Sequence, residues 1–307
     1  MRFYERSMLI QALSTCFFLS GLLALQVEAE TLQWKFAVGD VYQLEVQQTV
    51  KQTTTVLLQP VEATTSLSMG VRWEITAIRP DGSAELTQTF EKISLKVQSE
   101  DSAEVDYDSD RTKQPSASGN QLHQAISPLL KTPFQIVMQP DGQISEVKAS
   151  EDSLKKIREA SGSVKLRAAM SPEGLQNMLA LVSTPLPEKE VQAGDTWQRE
   201  RRSGVGGQEL EVAHNFKYTG PEEVDGVELA KIEFSTTLKP ADAEGASAQG
   251  PVIQSQDSTG VYWFDAGSGY PTRCEQTQTL VTNKKLREFT IEVSATSQTR
   301  CSLTKQP

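Results

Sequence analysis

The sequence predicts a mainly β (α+β) protein: two related curved antiparallel β units or one long curved sheet, with helices concentrated around residues 150–183. Three observations carry this expectation. Apolar residues alternate with polar ones at a period of two along most of the chain, which is the pattern of strands with one wet face. The period changes to a helical one only in the middle. The composition is rich in Thr, Gln, Ser and Val, while aromatics make up only 7%, which suits half-buried strands.

Taken in order, residues 1–29 read as a signal peptide. Arg2 and Arg6 form a basic start, an apolar stretch runs from Met8 to Leu25, and Val27-Glu28-Ala29 supplies small residues for cleavage before Glu30. Two rival readings stand beside it. As a retained anchor, the apolar core is short and interrupted by Gln11, Ser14 and Ser20, whereas a spanning helix needs about 20 mostly apolar residues. As a lipoprotein signal, Leu13-Ser14-Thr15-Cys16 has a poor residue before Cys16 and its most apolar part after it. Cleavage implies an exported protein, periplasmic or extracellular, with no transmembrane segment in the mature chain.

Residues 30–149 form the first β-rich unit. Tyr42, Leu44, Val46 and Val50 share one parity; Val71, Trp73 and Ile75 define a second strand. Arg79-Pro80-Asp81-Gly82 turns the chain. The returning strand carries Leu86 and Phe90, then Ile93, Leu95 and Val97, and the parity flip predicts a bulge near Glu91-Lys92. A short helix is expected over 121–130, curtailed by Pro128. Phe134, Ile136 and Met138 lead through Gln139-Pro140-Asp141-Gly142 to Ile144 and Val147 in a further hairpin.

Residues 150–184 are the helical segment: Leu154 and Ile157 mark one helix. Ser171-Pro172-Glu173 starts another, with Leu175, Met178, Leu179 and Val182 on one face. Residues 185–307 form the second β-rich unit. Val212, Phe216 and Tyr218 share a face, as do Ile232, Phe234 and Leu238. Residues 241–258 read as a loop of small and polar residues. The last hairpin is expected to place 272–282 and 286–302 on either side of a turn at Asn283-Lys284-Lys285.

Cleavage leaves two cysteines, Cys274 and Cys301, a candidate disulfide in an oxidising compartment. A turn near 284 pairs position 274 with 294, about 24 Å short of 301 at strand rise. On that register the bond requires the last strand to bend.

The two β units open alike. Trp34-x-Phe36-x-x-Gly39-Asp40-x-Tyr42 and Val191-x-x-Gly194-Asp195-x-Trp197 each set an apolar anchor, a Gly-Asp turn and an aromatic entering a strand. Turn chemistry accounts for Gly39, Asp40, Gly194 and Asp195 without a binding role. Leu32-Gln33-Trp34-Lys35-Phe36 followed by Gly39-Asp40-Val41-Tyr42 resembles an uncharacterised family of secreted bacterial, planctomycete-type proteins. Gly194-Asp195-Thr196-Trp197 after Pro185-Leu186-Pro187, and Tyr107-Asp108-Ser109, are similar to the same family. That resemblance brings no known activity and no site residue.

Chemical motifs are thin. Asp106-x-Asp108-x-Asp110 has calcium-loop spacing but Arg111 at the sixth position and Ala117 at the twelfth. Ser145-x-x-Lys148 and Ser153-x-x-Lys156 lack the partners of a penicillin-recognising site. Two histidines, His123 and His214, exclude a multi-His zinc centre. Gly204-x-Gly206-Gly207 reads as a hairpin tip. A net charge of -10 disfavours nucleic acid and anionic headgroups as general partners. The expectation is an exported, non-catalytic envelope protein with a binding or structural role, no cofactor and no metal, whose partner is an unknown envelope protein or an apolar small molecule. A carrier with a cavity between curved sheet and helices is the first alternative, and a carboxylate-type hydrolase the second.

Overall fold

A computed structural model describes residues 29–152, 155 and 186–307, apart from 101, 131, 206–207, 242–250 and 287–288. The signal-peptide segment lies outside the described residues. So do the helices expected from Ile157 and Ser171, although Glu151, Asp152 and Lys155 are helical.

The strands are β1 (Val41–Val56), β2 (Gln59–Ile78), β3 (Ala84–Ser99), β4 (Ser102–Asp108), β5 (Pro133–Met138) and β6 (Ile144–Ala149). After them come β7 (Thr196–Val205), β8 (Gln208–Val224), β9 (Val227–Pro240), β10 (Val252–Asp265), β11 (Tyr270–Leu286) and β12 (Phe289–Lys305). Helix α1 (Ala117–Ile126) lies between β4 and β5. Of the two architectures expected, the chain adopts one large antiparallel sheet of 12 strands. It runs in the order β6-β5-β3-β2-β1-β12-β11-β10-β9-β8-β7, with β4 beside β3. The sheet is open, with β6 and β7 at its edges.

The expected bulge is present. Gly70 pairs with Lys92 and Val71 with Phe90, so Glu91 is the extra residue. The insertion keeps both Phe90 and Ile93 on the core face, where each is buried. It also marks where β3 changes partner, from β5 along residues 84–89 to β4 along residues 94–99.

Three expectations need correction. Helix α1 starts four residues earlier than the apolar pattern suggested, because the Ser116 hydroxyl accepts from the Gly119 amide at 3.0 Å and caps it. It ends at Ile126, two residues before Pro128. The loop expected over 241–258 is shorter, since β10 begins at Val252. The last turn is not at Asn283-Lys284-Lys285, because those three residues pair with Glu292, Ile291 and Thr290 and the strands close at Leu286 and Phe289. Polar residues mimic a turn there because the end of this hairpin is wet on both faces, where strand residues gain nothing from alternation. The corrected register pairs Cys274 directly with Cys301. The two form a disulfide across adjacent strands with Cα atoms 4.9 Å apart, so no bend is needed.

All strands alternate in direction, so the molecule has two distinct ends. At one end lie the starts of β1 and β7 and the turns at 79–83, 139–142 and 266–269, closed by the segment 30–36. This capped end holds the core: Trp73, Tyr42, Phe90, Phe134, Phe264, Leu32 and Trp34 are buried, and Trp34 packs on Phe36, Tyr42 and Trp73 at 5.7–6.4 Å. At the opposite, tip end, the β1–β2 and β11–β12 hairpins project.

Candidate functional site

The Gly-Asp turns repeat in three dimensions. Gly39 N–H donates to the Ile75 carbonyl at 2.9 Å, and Ile75 N–H returns a bond to the Asp40 carbonyl at 2.9 Å. Gly194 N–H donates to Tyr218 at 2.7 Å, and Tyr218 N–H returns one to Asp195 at 3.0 Å. Gly39 and Gly194 adopt φ +91° and +102°, a region that disfavours residues with a Cβ. The carboxylates differ in use. Asp40 pairs with the Lys305 ammonium at 2.8 Å, while Asp195 accepts from the Gln192 amide at 2.8 Å within its own turn. The segment 30–36 ties the two turn regions together: Glu30 and Val191 exchange backbone bonds of 2.9 and 3.0 Å, Trp34 N–H reaches Pro140 and Lys35 N–H reaches Gly269. These four site residues are thus brought to one end of the sheet as structural elements.

A separate feature offers a binding surface. A groove of about 1060 Å³ crosses six strands, β7 to β12, and takes three consecutive residues from each. The middle residues Trp197, Phe216, Phe234, Gly260, Gln276 and Thr299 form one cross-strand row. Its aromatic members turn to the core: Trp197 stacks on Phe216 at 5.4 Å, and Phe234 stacks on Tyr262 at 4.7 Å. Gly260 allows this packing, since a Cβ there would sit 2.3 Å from the Phe234 ring. Because side chains alternate along a strand, the flanking residues point the other way. The groove therefore lies on the outer face.

Two rows line it. One reads Thr196, Lys217, Glu233, Val261, Glu275 and Arg300; the other reads Gln198, Asn215, Ser235, Thr259, Thr277 and Gln298. The first row balances two cations against two carboxylates, with Glu275 3.7 Å from Arg300 and 2.6 Å from Arg273. The second consists wholly of neutral amides and hydroxyls that can donate and accept. Beside the first row, Trp263 lies under the Arg273 guanidinium at 5.3 Å and donates to Glu222 at 3.0 Å. A polar, locally neutral trough on a chain of charge -10 can dock a polar surface without the repulsion the rest of the molecule exerts.

The core side holds a histidine that burial perturbs strongly. His214, facing Thr236 at 2.9 Å, has its pKa pushed down to about 4, chiefly by burial and secondarily by the Arg201 cation. Burial and the neighbouring Glu30 carboxylate, which accepts from its hydroxyl, push the Tyr218 pKa upward.

The remaining motifs separate in space. Asp106 pairs with Arg111 at 2.8 Å and Asp110 with Lys92 at 2.6 Å, so this acidic loop is neutralised by side-chain cations. Ser145 is the extra residue of a bulge in β6 and its hydroxyl donates to the Val137 carbonyl at 3.4 Å, while Lys148 pairs with Glu146; Ser153 and Lys156 lie outside the described residues. His123 packs on Tyr107 from α1, while His214 is on β8. Val205 pairs with Gln208 in the β7–β8 hairpin, while Gly206 and Gly207 lie outside the described residues. Sequence reasoning missed the groove because its residues are mostly the polar members of six strand alternations, and only the register across those strands makes them neighbours.

Residues 81–261 match a family described as "Family of unknown function (DUF6263)". No curated protein matches the chain. Among solved structures the chain is similar to lipovitellin, at 13% identity and a TM-score of 0.49, over 89% of this chain and 26% of that one. It thus spans about a quarter of lipovitellin. It is also similar to a protein with a YmcC-like fold from Bacteroides fragilis, at 9% identity and a TM-score of 0.25, over 90% and 99% of the two chains. A third likeness is to an outer membrane channel from Pseudomonas putida F1, at 6% identity and 0.22, over 88% and 97%.

Proposed function

We propose, for a chain that belongs to the DUF6263 family of unknown function, an exported, non-catalytic binding role in the bacterial cell envelope, with the outer-face groove as the docking surface. The single observation that carries the reading is the pair of cross-strand rows framing a groove of about 1060 Å³. Twelve outward side chains from six strands, all polar except Val261, define one continuous surface on a hydrogen-bonded sheet, which is how a binding face is pre-organised. The neutral row suits a partner that is polar and uncharged where it touches.

Export is supported by the N-terminal pattern and by two local facts. Cleavage after Ala29 leaves Glu30 as the first residue, and the Glu30 nitrogen already donates to Val191. The new terminus would keep that bond and the whole closing segment. The Cys274–Cys301 disulfide fits an oxidising compartment. The apolar-carrier reading needs a cavity between the sheet and residues 150–183, most of which lie outside the described residues.

Two measurements test the proposal. Mass spectrometry of the protein from its own cells should give a mature chain starting at Glu30 in a non-cytoplasmic fraction; an intact Met1 terminus in the cytoplasm refutes export. A photo-crosslinking residue at Thr259 or Ser235 should yield adducts in the living cell that the same residue at Thr53 does not. Equal yields at all three positions remove the groove as the docking surface.

A further inference from the structure

We propose that the outer-face groove holds a linear, uncharged polysaccharide that lies across the strands, one sugar ring to each strand. The inference rests on the reading of that groove as a docking surface and names what docks there. Its ground is the row of neutral amides and hydroxyls that runs from Gln198 to Gln298. The register carries this row beyond the groove, because Gln298 pairs with Thr49 and Thr49 with Ser66. It therefore crosses eight consecutive strands, from β7 to β12 and on through β1 to β2. At the spacing of paired strands that is about 34 Å. Thr49 is half-buried and every other member is exposed.

Neighbouring rows of the same face carry charge, which sets this one apart. Arg300, Glu275, Glu233 and Lys217 stand in the row toward the capped end. Lys51 and Asp257 stand in the row toward the tip, linked through Thr296 and Thr279. Among the described residues only Gln198 engages its side chain internally, donating to Glu200 at 2.7 Å; the other seven members make no side-chain hydrogen bond. These free amides and hydroxyls both donate and accept, as sugar hydroxyls do.

Spacing and composition select the occupant. Paired strands lie about 4.8 Å apart, and a sugar linked through equatorial bonds at its 1 and 4 positions advances by close to that distance per ring. Each ring then meets the side chain of one strand. An extended peptide presents a residue to one face about every 6.7 Å, out of step with the strands. A folded protein partner is held by aromatic and apolar anchors at the centre of its interface, and this row has none. Polyanions, nucleic acid among them, need cations along the contact; the row supplies none, on a chain of charge -10.

The test is isothermal titration of the mature protein with β-1,4-linked oligomers of glucose and of N-acetylglucosamine, two to six rings long. Affinity should rise by about fivefold per added ring, as each ring reaches a further strand. Binding by both series assigns recognition to the hydroxyls they share; binding by the second alone assigns it to the acetamido groups. Thr259→Val and Thr277→Val each remove one hydroxyl while keeping size and strand propensity. Both residues lie at the middle of the row, so every placement of six rings covers them. Each change should weaken hexamer binding by about fivefold at an unchanged thermal midpoint, and Thr53→Val should leave it unaltered. No binding by either hexamer at millimolar concentration, affinity independent of length, or full affinity in both groove variants overturns the proposal. Photo-crosslinking separates that failure from failure of the docking surface. A protein adduct confined to Thr259 and Ser235, with no hexamer bound, removes the polysaccharide and keeps the groove; equal adducts at Thr53 remove both.

Discussion

His214 shows how a single strand position becomes sensitive to pH. Burial and the Arg201 charge hold its pKa near 4 in the folded state, against the ordinary 6.5 that the unfolded chain regains. A depressed folded pKa means that the unfolded chain binds the proton more readily. Its contribution to stability is therefore complete above about pH 6.5 and is lost as pH falls toward 4. At pH 4.5 the loss should be about 2 kcal/mol after discounting for partial exposure. Denaturant titrations of wild type and His214→Gln at pH 7 and pH 4.5 should show the wild type losing that much more than the variant. An equal loss in both would place the acid sensitivity elsewhere. The parity of His214 with Val212 and Phe216 was legible in the sequence; the Thr236 partner and Arg201 charge came only with strand pairing.

The last hairpin carries the lesson at the scale of the element. Cys274 shares parity with Leu280, and Cys301 with Phe289, so each falls on the apolar side of its strand; the structure buries Cys274 and pairs it with Cys301. The turn was misplaced by about three residues because Asn283-Lys284-Lys285 has turn chemistry without turn geometry. Two-residue loops at wet tips are poorly marked when neither residue is Gly or Asn, and the Leu57-Leu58 loop hides for the same reason. The disulfide joins residues 27 apart. Replacing both cysteines by serine should lower stability by about 3–4 kcal/mol in the chain-entropy model, read as a shift in the denaturation midpoint with unchanged slope. A changed slope would mean that the bond shapes the unfolded ensemble beyond closing a loop.

For the whole molecule, the segment 30–36 is what turns a wide open sheet into a body with one closed end. It bonds to residues near β7, to the β5–β6 turn and to the β10–β11 turn, and it buries Leu32 and Trp34 where those elements converge. Near the same end Leu186 N–H donates to Asp141 at 2.7 Å, and Arg199 lies 3.3 Å from Glu188. Trp34→Ala removes the ring that packs on Phe36, Tyr42 and Trp73, and should cost about 3–5 kcal/mol. The loss should appear as a lowered thermal midpoint together with faster exchange of the Glu30 and Val191 amides. Faster exchange at the tip end instead would locate the keystone elsewhere.

By itself the sequence determined the strand-rich class, the bulge after Phe90, the two Gly-Asp openings and the core parity of β1, β2, β3, β5, β8 and β9. Each of these is written locally, in a period of two, a parity flip or a residue suited to positive φ. The tertiary structure alone decided that both halves join through β1 and β12 into one sheet, that Cys274 faces Cys301, and that six polar half-strands align into a groove. Pairing partner and register are long-range choices. They depend on which strands lie side by side when the common core closes, and no local pattern records that.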